Sequence, residues 1–164
     1  MSIEPVSYAD FDVPPPDLMQ AVDEGLERHN RQVAPLGDVR PLGSFASDDS
    51  SRVIGGAVGR TWGRCCELQQ LWVESGHRRS GIATRLLRQF EARAGERGCN
   101  VFYLTTLSFQ APGFYRKHGY ATLGEIRGYP DEIAKYLMHK EVPLGLDTRR
   151  SAASTHALPH ANAR

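Results

Sequence analysis

The chain has 164 residues, of which 40% are hydrophobic and 24% are charged, a size and composition suited to one compact domain. Twenty Lys and Arg residues balance nineteen Asp and Glu residues, which argues against a polyanion such as nucleic acid as the partner. No apolar run approaches the ~20 residues that cross a bilayer, and the polar opening segment is unlike a signal peptide, so we expect a cytoplasmic protein without membrane contact.

The cysteines and histidines do not form a metal-binding pattern. Cys65 and Cys66 are adjacent, Cys99 stands alone, and no CxxC spacing occurs. None of the six histidines lies at ligand spacing from another histidine, cysteine or acidic residue. We therefore expect free thiols and no metal.

The first third of the chain predicts one strand, one helix and one further extended stretch. Residues 3–8 suit a short strand, which the prolines at 14–16 end. Asp17 suits the N-cap of an amphipathic helix that reaches about Arg28. Residues 39–45 are predicted to be extended, and 47–51 have the composition of a turn.

The next hundred residues predict an alternation of strands and helices. Two strands, 52–62 and 65–73, form a hairpin across Gly63 and Arg64. A helix begins near Ser80 and ends at 95–98, with its apolar face formed by Ile82, Leu86, Leu87, Phe90 and Ala94. A strand at 101–107, a short helix at 111–118 and strands at 120–126 and 133–142 follow.

This order of elements indicates an α/β or α+β sheet with at least one βαβ unit. After Val142 the chain has little apolar content and no periodicity. We predict one domain over residues 1–142 and a disordered tail over residues 143–164.

The segment that indicates function is LQQLWVESGHRRSGIATRLL, residues 68–87, a strand followed by a loop and a helix start. A helix N-terminus presents unpaired N–H groups and the positive end of the helix dipole, which suits an anion. Gly81 and Ala83 would let a diphosphate approach without obstruction by side chains. The segment is neither a Walker A loop nor a GxGxxG fingerprint.

Arg78, Gly81 and Ala83 resemble the Q/R-x-x-G-x-G/A loop with which the GNAT superfamily of N-acetyltransferases binds acyl-CoA. A second signature, APGFYRKHGY at residues 111–120, is similar to that family's A-x-x-[FL]-Y-x-K-x-G-[FY] element. The resemblance covers roughly residues 50–142. It implies the GNAT fold, a mixed and mostly antiparallel sheet of six to seven strands with about four helices, splayed between the fourth and fifth strands.

The resemblance also implies acetyl-CoA as cosubstrate, held between the strand ending at Val73 and the strand 101–107. The main chain of Leu71 and Val73 would pair with the pantetheine arm, and Arg78 or Arg79 would contact phosphate. Ser80 is expected to cap the helix. The residues implied to contact the cofactor are Leu71, Trp72, Val73, Arg78, Arg79, Ser80, Gly81, Ile82, Ala83, Thr84, Ser108 and Tyr115, with Ser108 standing where many members have Asn.

Two residues are implied to be catalytic. Tyr115 is the candidate acid toward the CoA thiolate, with a packing role or replacement by Tyr120 as alternatives. Glu67 is the candidate base for the amine, with water or no dedicated base as alternatives. Strand alternation would place Glu67, Gln69 and Leu71 on one face of the sheet.

The resemblance favours a primary amine of a small molecule as the acceptor. A protein or peptide amine is one alternative, and a non-catalytic acyl-CoA-binding module is another. Acidic residues in segments 17–48 and 125–135 are compatible with a cationic acceptor or with a generic acidic surface. A homodimer is possible by the same resemblance.

Overall fold

The computed structural model describes residues 6–33 and 36–143. They fall into two compact units divided after Val39. The first unit contains helix α1, Pro16–Val33, which carries Leu18, Val22 and Leu26 at a spacing of four residues. This spacing gives α1 one apolar stripe, as the sequence predicts.

The second unit is a six-stranded sheet with two helices. The sheet has the order β1-β2-β3-β4-β6-β5. All neighbouring strands are antiparallel except β3 and β4, which are parallel and joined by the crossover helix α2. The bounds are β1 Arg40–Ser47, β2 Val53–Trp62, β3 Cys65–Val73, α2 Ile82–Glu96, β4 Val101–Leu107, α3 Pro112–Lys117, β5 Ala121–Ile126 and β6 Lys135–Glu141.

Helix α2 covers one face of the sheet, which we call the core face. Its predicted apolar stripe is buried at Leu86, Leu87, Phe90 and Ala94. The stripe belongs to one hydrophobic cluster with side chains from the strands, including Leu42, Ala57, Cys66, Leu68, Phe102, Leu104 and Met138. Burial of this cluster is the main stabilising contribution and fixes α2 against the sheet.

A β-bulge in the β2–β3 hairpin changes which residues share a face. Gly59 is opposite Leu68 and Val58 is opposite Gln70, so Gln69 is the additional residue on β3. Leu68 and Leu71 therefore both point to the core, whereas Glu67 and Trp72 lie on the other side, the second face. The prediction that Glu67, Gln69 and Leu71 share a face is wrong, because simple alternation does not continue through a bulge.

The mixed, mostly antiparallel sheet confirms the predicted fold class. The sheet has six strands, and three α-helices lie within residues 6–33 and 36–143, one fewer than expected. Residues 6–8 of the predicted first strand are not in a strand, and its remainder lies outside the described residues. The parallel pair that was expected as the fourth and fifth strands is therefore β3 and β4.

Both ends of helix α1 differ from the prediction. Helix α1 begins at Pro16, so Asp17 lies within its first turn and does not cap it. The helix also runs five residues beyond Arg28. The structure contains no helix in its described part that is both long and apolar enough to cross a membrane.

Candidate active site

The parallel strands β3 and β4 separate from each other halfway along their length. They pair from Cys65 opposite Val101 to Leu68 opposite Leu104, and no pairing continues beyond that point. The last residues of both strands, 69–73 and 105–107, therefore border an opening, which we call the splay. The bulge at Gln69 lies where the splay begins.

The main chain of β3 presents hydrogen-bonding groups to the splay. The N–H of Glu74 donates to Ile54 of the neighbouring β2 segment at 2.8 Å, so Glu74 and, two residues before it, Trp72 direct their main-chain groups toward β2. Leu71 and Val73 then direct theirs toward β4. An extended ligand with amide groups could pair with these two residues as an additional strand.

The loop after β3 leads into the N-terminus of α2. Gly81 precedes the helix with a φ of 84°, a left-handed conformation that favours glycine. No atom lies within 4 Å of where its Cβ would be, so ligand access at this point is open. The N–H groups of Ile82, Ala83 and Thr84 in the first turn have no intrahelical acceptor and are available to an anion.

Ser80 does not cap α2. The N-cap position is Gly81, which has no side chain to do so. The Ser80 hydroxyl instead donates to the carbonyl oxygen of His77 at 2.5 Å and closes the preceding turn. The predicted cap is wrong because the left-handed glycine moves the helix start one residue further along.

A cavity of about 510 Å³, the loop cavity, lies against this helix start. Arg78, Arg79 and Lys117 contribute cationic side chains to its lining, and no carboxylate does so. Arg78 also donates from Nε to the Val73 carbonyl oxygen at 2.9 Å, which ties the loop to the end of β3. The cavity combines a positive field with free N–H groups, a combination suited to a diphosphate.

Helix α3 and the residue after it supply further lining residues of the loop cavity, which are not among the predicted site residues. Phe114, Lys117 and His118 border it. The Oγ1 atom of Thr84 lies 3.2 Å from Nε2 of His118, which links the first turn of α2 to the end of α3. Burial lowers the pKa of His118, so its ring is neutral at neutral pH. The signature at residues 111–120, which contains these three residues, was the available sequence signal for them.

An ionic network holds the first residue of the loop. Arg52 donates to both carboxylate oxygens of Glu74, at 2.6 and 3.1 Å, and also contacts Asp48 at 3.1 Å. The hydrogen bond from Arg52 lowers the pKa of Glu74. The loop is thus connected at its start to the β1–β2 turn and at Arg78 to the end of β3.

Tyr115 and Tyr120 lie close together but have different surroundings. Tyr115 is only 7% exposed, and burial raises its pKa to about 12, so the phenol carries its proton at physiological pH. Its ring contacts that of Tyr120 edge to face, with centroids 5.8 Å apart. The Tyr120 hydroxyl donates to Glu91 of α2 at 2.8 Å and is therefore engaged in the core.

Glu67 lies on the second face of β3, one residue before Leu68, where the pairing with β4 ends. Its carboxylate accepts from Arg60 Nε at 2.6 Å. Tyr103 is directly opposite it on β4, and burial followed by the charge of Glu67 raises the pKa of Tyr103. Glu67 and Tyr115 thus belong to opposite sides of the sheet, which flank the splay.

The remaining predicted residues lie around the splay with other contacts. The side chain of Trp72 is half-exposed on the second face. Ser108 accepts from the Ala134 N–H at 3.2 Å and donates its own N–H to the Ala134 carbonyl at 2.7 Å. Its hydroxyl therefore joins the end of β4 to the start of β6. Within the described residues, no three His, Cys, Asp or Glu side chains are arranged to hold a metal ion.

A splayed parallel strand pair with a basic, glycine-containing helix start defines the class of acyl-CoA-dependent transferases. The sequence profile of the Acetyltransferase (GNAT) family matches residues 8–120, about two thirds of the chain. The chain belongs to this family and is an acetyltransferase.

Known relatives agree with this classification. Blasticidin-S acetyltransferase of Streptomyces morookaense is 37% identical over 112 residues, which are 66% of this chain and 82% of the relative. The crystal structure of a protein assigned as an acetyltransferase from Agrobacterium tumefaciens superimposes with a TM-score of 0.74 at 27% identity, covering 84% of this chain and all of that one.

A more distant structure shares the fold and was solved with a ligand. It is a protein assigned as a streptothricin acetyltransferase from Bacillus anthracis, in complex with acetyl coenzyme A. Its TM-score is 0.55 at 20% identity, and the match covers 62% of each chain.

Proposed function

We propose that this protein transfers the acetyl group of acetyl-CoA to a primary amine of a small molecule, by direct attack in a ternary complex. The observation that carries the proposal is the splay, where main-chain groups of Leu71 and Val73 face the opening and lead directly to the basic loop cavity. The pantetheine arm would pair with β3 while the diphosphate binds at Gly81. The relationship to blasticidin-S acetyltransferase supports a small-molecule acceptor.

In the proposed mechanism Glu67 and Tyr115 transfer protons from opposite sides of the splay. Glu67 accepts a proton from the acceptor ammonium, and the neutral nitrogen attacks the thioester carbonyl carbon. The tetrahedral intermediate collapses with cleavage of the carbon–sulfur bond, and the attacking nitrogen loses its second proton to solvent, which returns a proton to Tyr115 once the thiol has left. Tyr115 donates its phenolic proton to the departing thiolate, a role that its raised pKa of about 12 permits at neutral pH.

Thermal unfolding tests cofactor binding at Gly81. A ligand that binds only the native state stabilises it by about 2.7 kcal/mol at 100 times its dissociation constant, which raises the midpoint by a few degrees. We expect this shift with acetyl-CoA and with CoA and no shift with ATP. In Gly81→Glu the carboxylate occupies the anion site, so the shift should disappear.

Gly81→Ala is the matched control for backbone strain. Both substitutions force a side chain into a φ of 84°, but only Glu adds negative charge. Alanine should lower the midpoint of the free protein and keep the acetyl-CoA shift. Absence of a shift in the wild type would refute the cofactor site. A shift without thiol release from any amine would indicate a binding module and not a transferase.

A further inference from the structure

A second cavity lies at the other side of the splay. It has a volume of about 320 Å³ and is lined by the bulge residue Gln69, by the end of β4 at Thr105 and by Tyr129 and Lys135. We call it the strand-end cavity. Thr105 lies on the second face two residues beyond Tyr103, the cross-strand partner of Glu67. The strand-end cavity therefore lies on the same face of the sheet as Glu67, the proposed base for the acceptor amine.

The lining of the strand-end cavity is polar, and its charge is positive. Gln69, Thr105 and Gln110 offer amide and hydroxyl groups, and Lys135 is the charged residue of the lining. Within the described residues Lys135 takes part in no ion pair, whereas Lys140 on the same strand is 2.7 Å from Glu91. Lys135 is half-buried, and an ammonium without a protein carboxylate beside it retains its capacity to bind an anion.

The main chain holds Lys135 in a fixed place. It is paired with Leu107 on β4 and with Ile126 on β5, so both neighbours of β6 position it. Nearby acidic side chains do not line the cavity. Glu125 is 2.8 Å from Arg127, and Asp131 and Glu132 are absent from the lining. The cavity is thus more favourable to a negative group than the acidic composition of segment 125–135 suggests.

We propose that the acceptor is an amine that also carries a carboxylate or comparable anionic group, and that Lys135 binds this group in the strand-end cavity. This inference rests on the proposed acetyl transfer, because it places the amine toward Glu67. Tyr103 and Leu107 are four residues apart on β4, about 13 Å at the rise of a strand. Amine and anion should therefore be separated by several bonds. A polycation would place a like charge beside Lys135.

Three probes of equal chain length test the inference: 6-aminohexanoate, 6-aminohexanamide and 1,6-diaminohexane. We expect thiol release from acetyl-CoA with a kcat/KM about tenfold or more higher for the acid than for the amide or the diamine. Lys135→Met should lower the value for the acid to that of the amide, with the KM for acetyl-CoA unchanged. Arg127→Met, which removes an exposed cation from the connection between β5 and β6, should keep the preference.

The opposite results separate the two proposals. A wild type that prefers the diamine, or a Lys135→Met variant that retains its preference for the acid, would overturn the anionic-acceptor inference and leave acetyl transfer standing. If no amine releases thiol, acetyl transfer fails, and anion binding in the strand-end cavity is then tested by the unfolding midpoint of the CoA complex. A midpoint that rises on addition of 6-aminohexanoate, and does not rise in Lys135→Met, would support binding by Lys135. A midpoint that does not rise in the wild type would refute it.

Discussion

Tyr115 and Tyr120 show how neighbouring residues of one type acquire different chemistry. Both are buried, at 7% and 4% exposure, and burial raises the pKa of each. Tyr120 donates to Glu91, which Lys140 also contacts at 2.7 Å, so its hydroxyl stabilises the junction of α2, β6 and the residues just before β5. The environment therefore favours Tyr115 over Tyr120 as the acid.

Tyr115→Phe should separate catalysis from stability. Loss of the phenolic proton should lower kcat about a hundredfold, since general acids contribute 10²–10⁴-fold, while the unfolding midpoint and the KM for acetyl-CoA change little. Steady-state kinetics and thermal unfolding measure these quantities. Tyr120→Phe is the matched control, and we expect it to lose about 2 kcal/mol of stability through the missing hydrogen bond to a charged group. A kcat unaffected in Tyr115→Phe would refute its role.

Glu67→Gln should reveal the base through the pH dependence of the rate. Without the carboxylate, only acceptor molecules that are already neutral can react, so kcat/KM should fall at neutral pH. The deficit should shrink as the pH approaches the pKa of the free amine. Arg60→Gln leaves the carboxylate in place and removes its 2.6 Å partner, so it should retain activity at neutral pH. An equal rate in Glu67→Gln and wild type would assign the proton to water.

At the scale of elements, the β3 bulge depends on a close approach between two backbones. A Cβ on Gly59 would lie 1.9 Å from the Glu67 carbonyl oxygen and 3.0 Å from the Phe90 ring. The glycine thus allows the hairpin to bend where the splay begins. Glycines within a strand are typical of bulges or close backbone approach, but their spacing does not identify which residue is additional.

Gly59→Ala should therefore destabilise the protein by about 3 kcal/mol or more. The added methyl group would overlap the backbone of Glu67, which cannot move aside as a flexible side chain can. Chemical denaturation measures the free energy of unfolding. Gly124→Ala, on edge strand β5 with no atom within 4 Å of the added Cβ, should change it by less than about 1 kcal/mol. Similar losses in both variants would mean that the hairpin can relax around the methyl group.

At the scale of the whole molecule, the active site is a consequence of topology. The crossover through α2 makes β3 and β4 parallel neighbours, and their separation after Leu68 and Leu104 brings the loop cavity and the strand-end cavity to either side of one opening. Lys117, His118 and Lys135 come to this opening from α3 and β6. Lys135 lies outside both sequence signatures, so no local pattern could connect it with Gly81.

The sequence alone determined the elements of the second unit, because an apolar stripe such as Leu86, Leu87, Phe90 and Ala94 has the period of a helix and β-branched and aromatic runs favour strands. It also predicted a helix start directly after Gly81, which the structure has at Ile82; anion binding there stays a prediction. The prediction of one domain over residues 1–142 stays a prediction, and the tail from 144 onward lies outside the described residues.

Only the tertiary structure decided the face on which Leu71 lies, the hydrogen bond of Tyr120 to Glu91 and the position of Lys135 beside the strand-end cavity. Each of these depends on pairing between strands or helices far apart in the chain, where a single bulge reverses the side on which every following residue points.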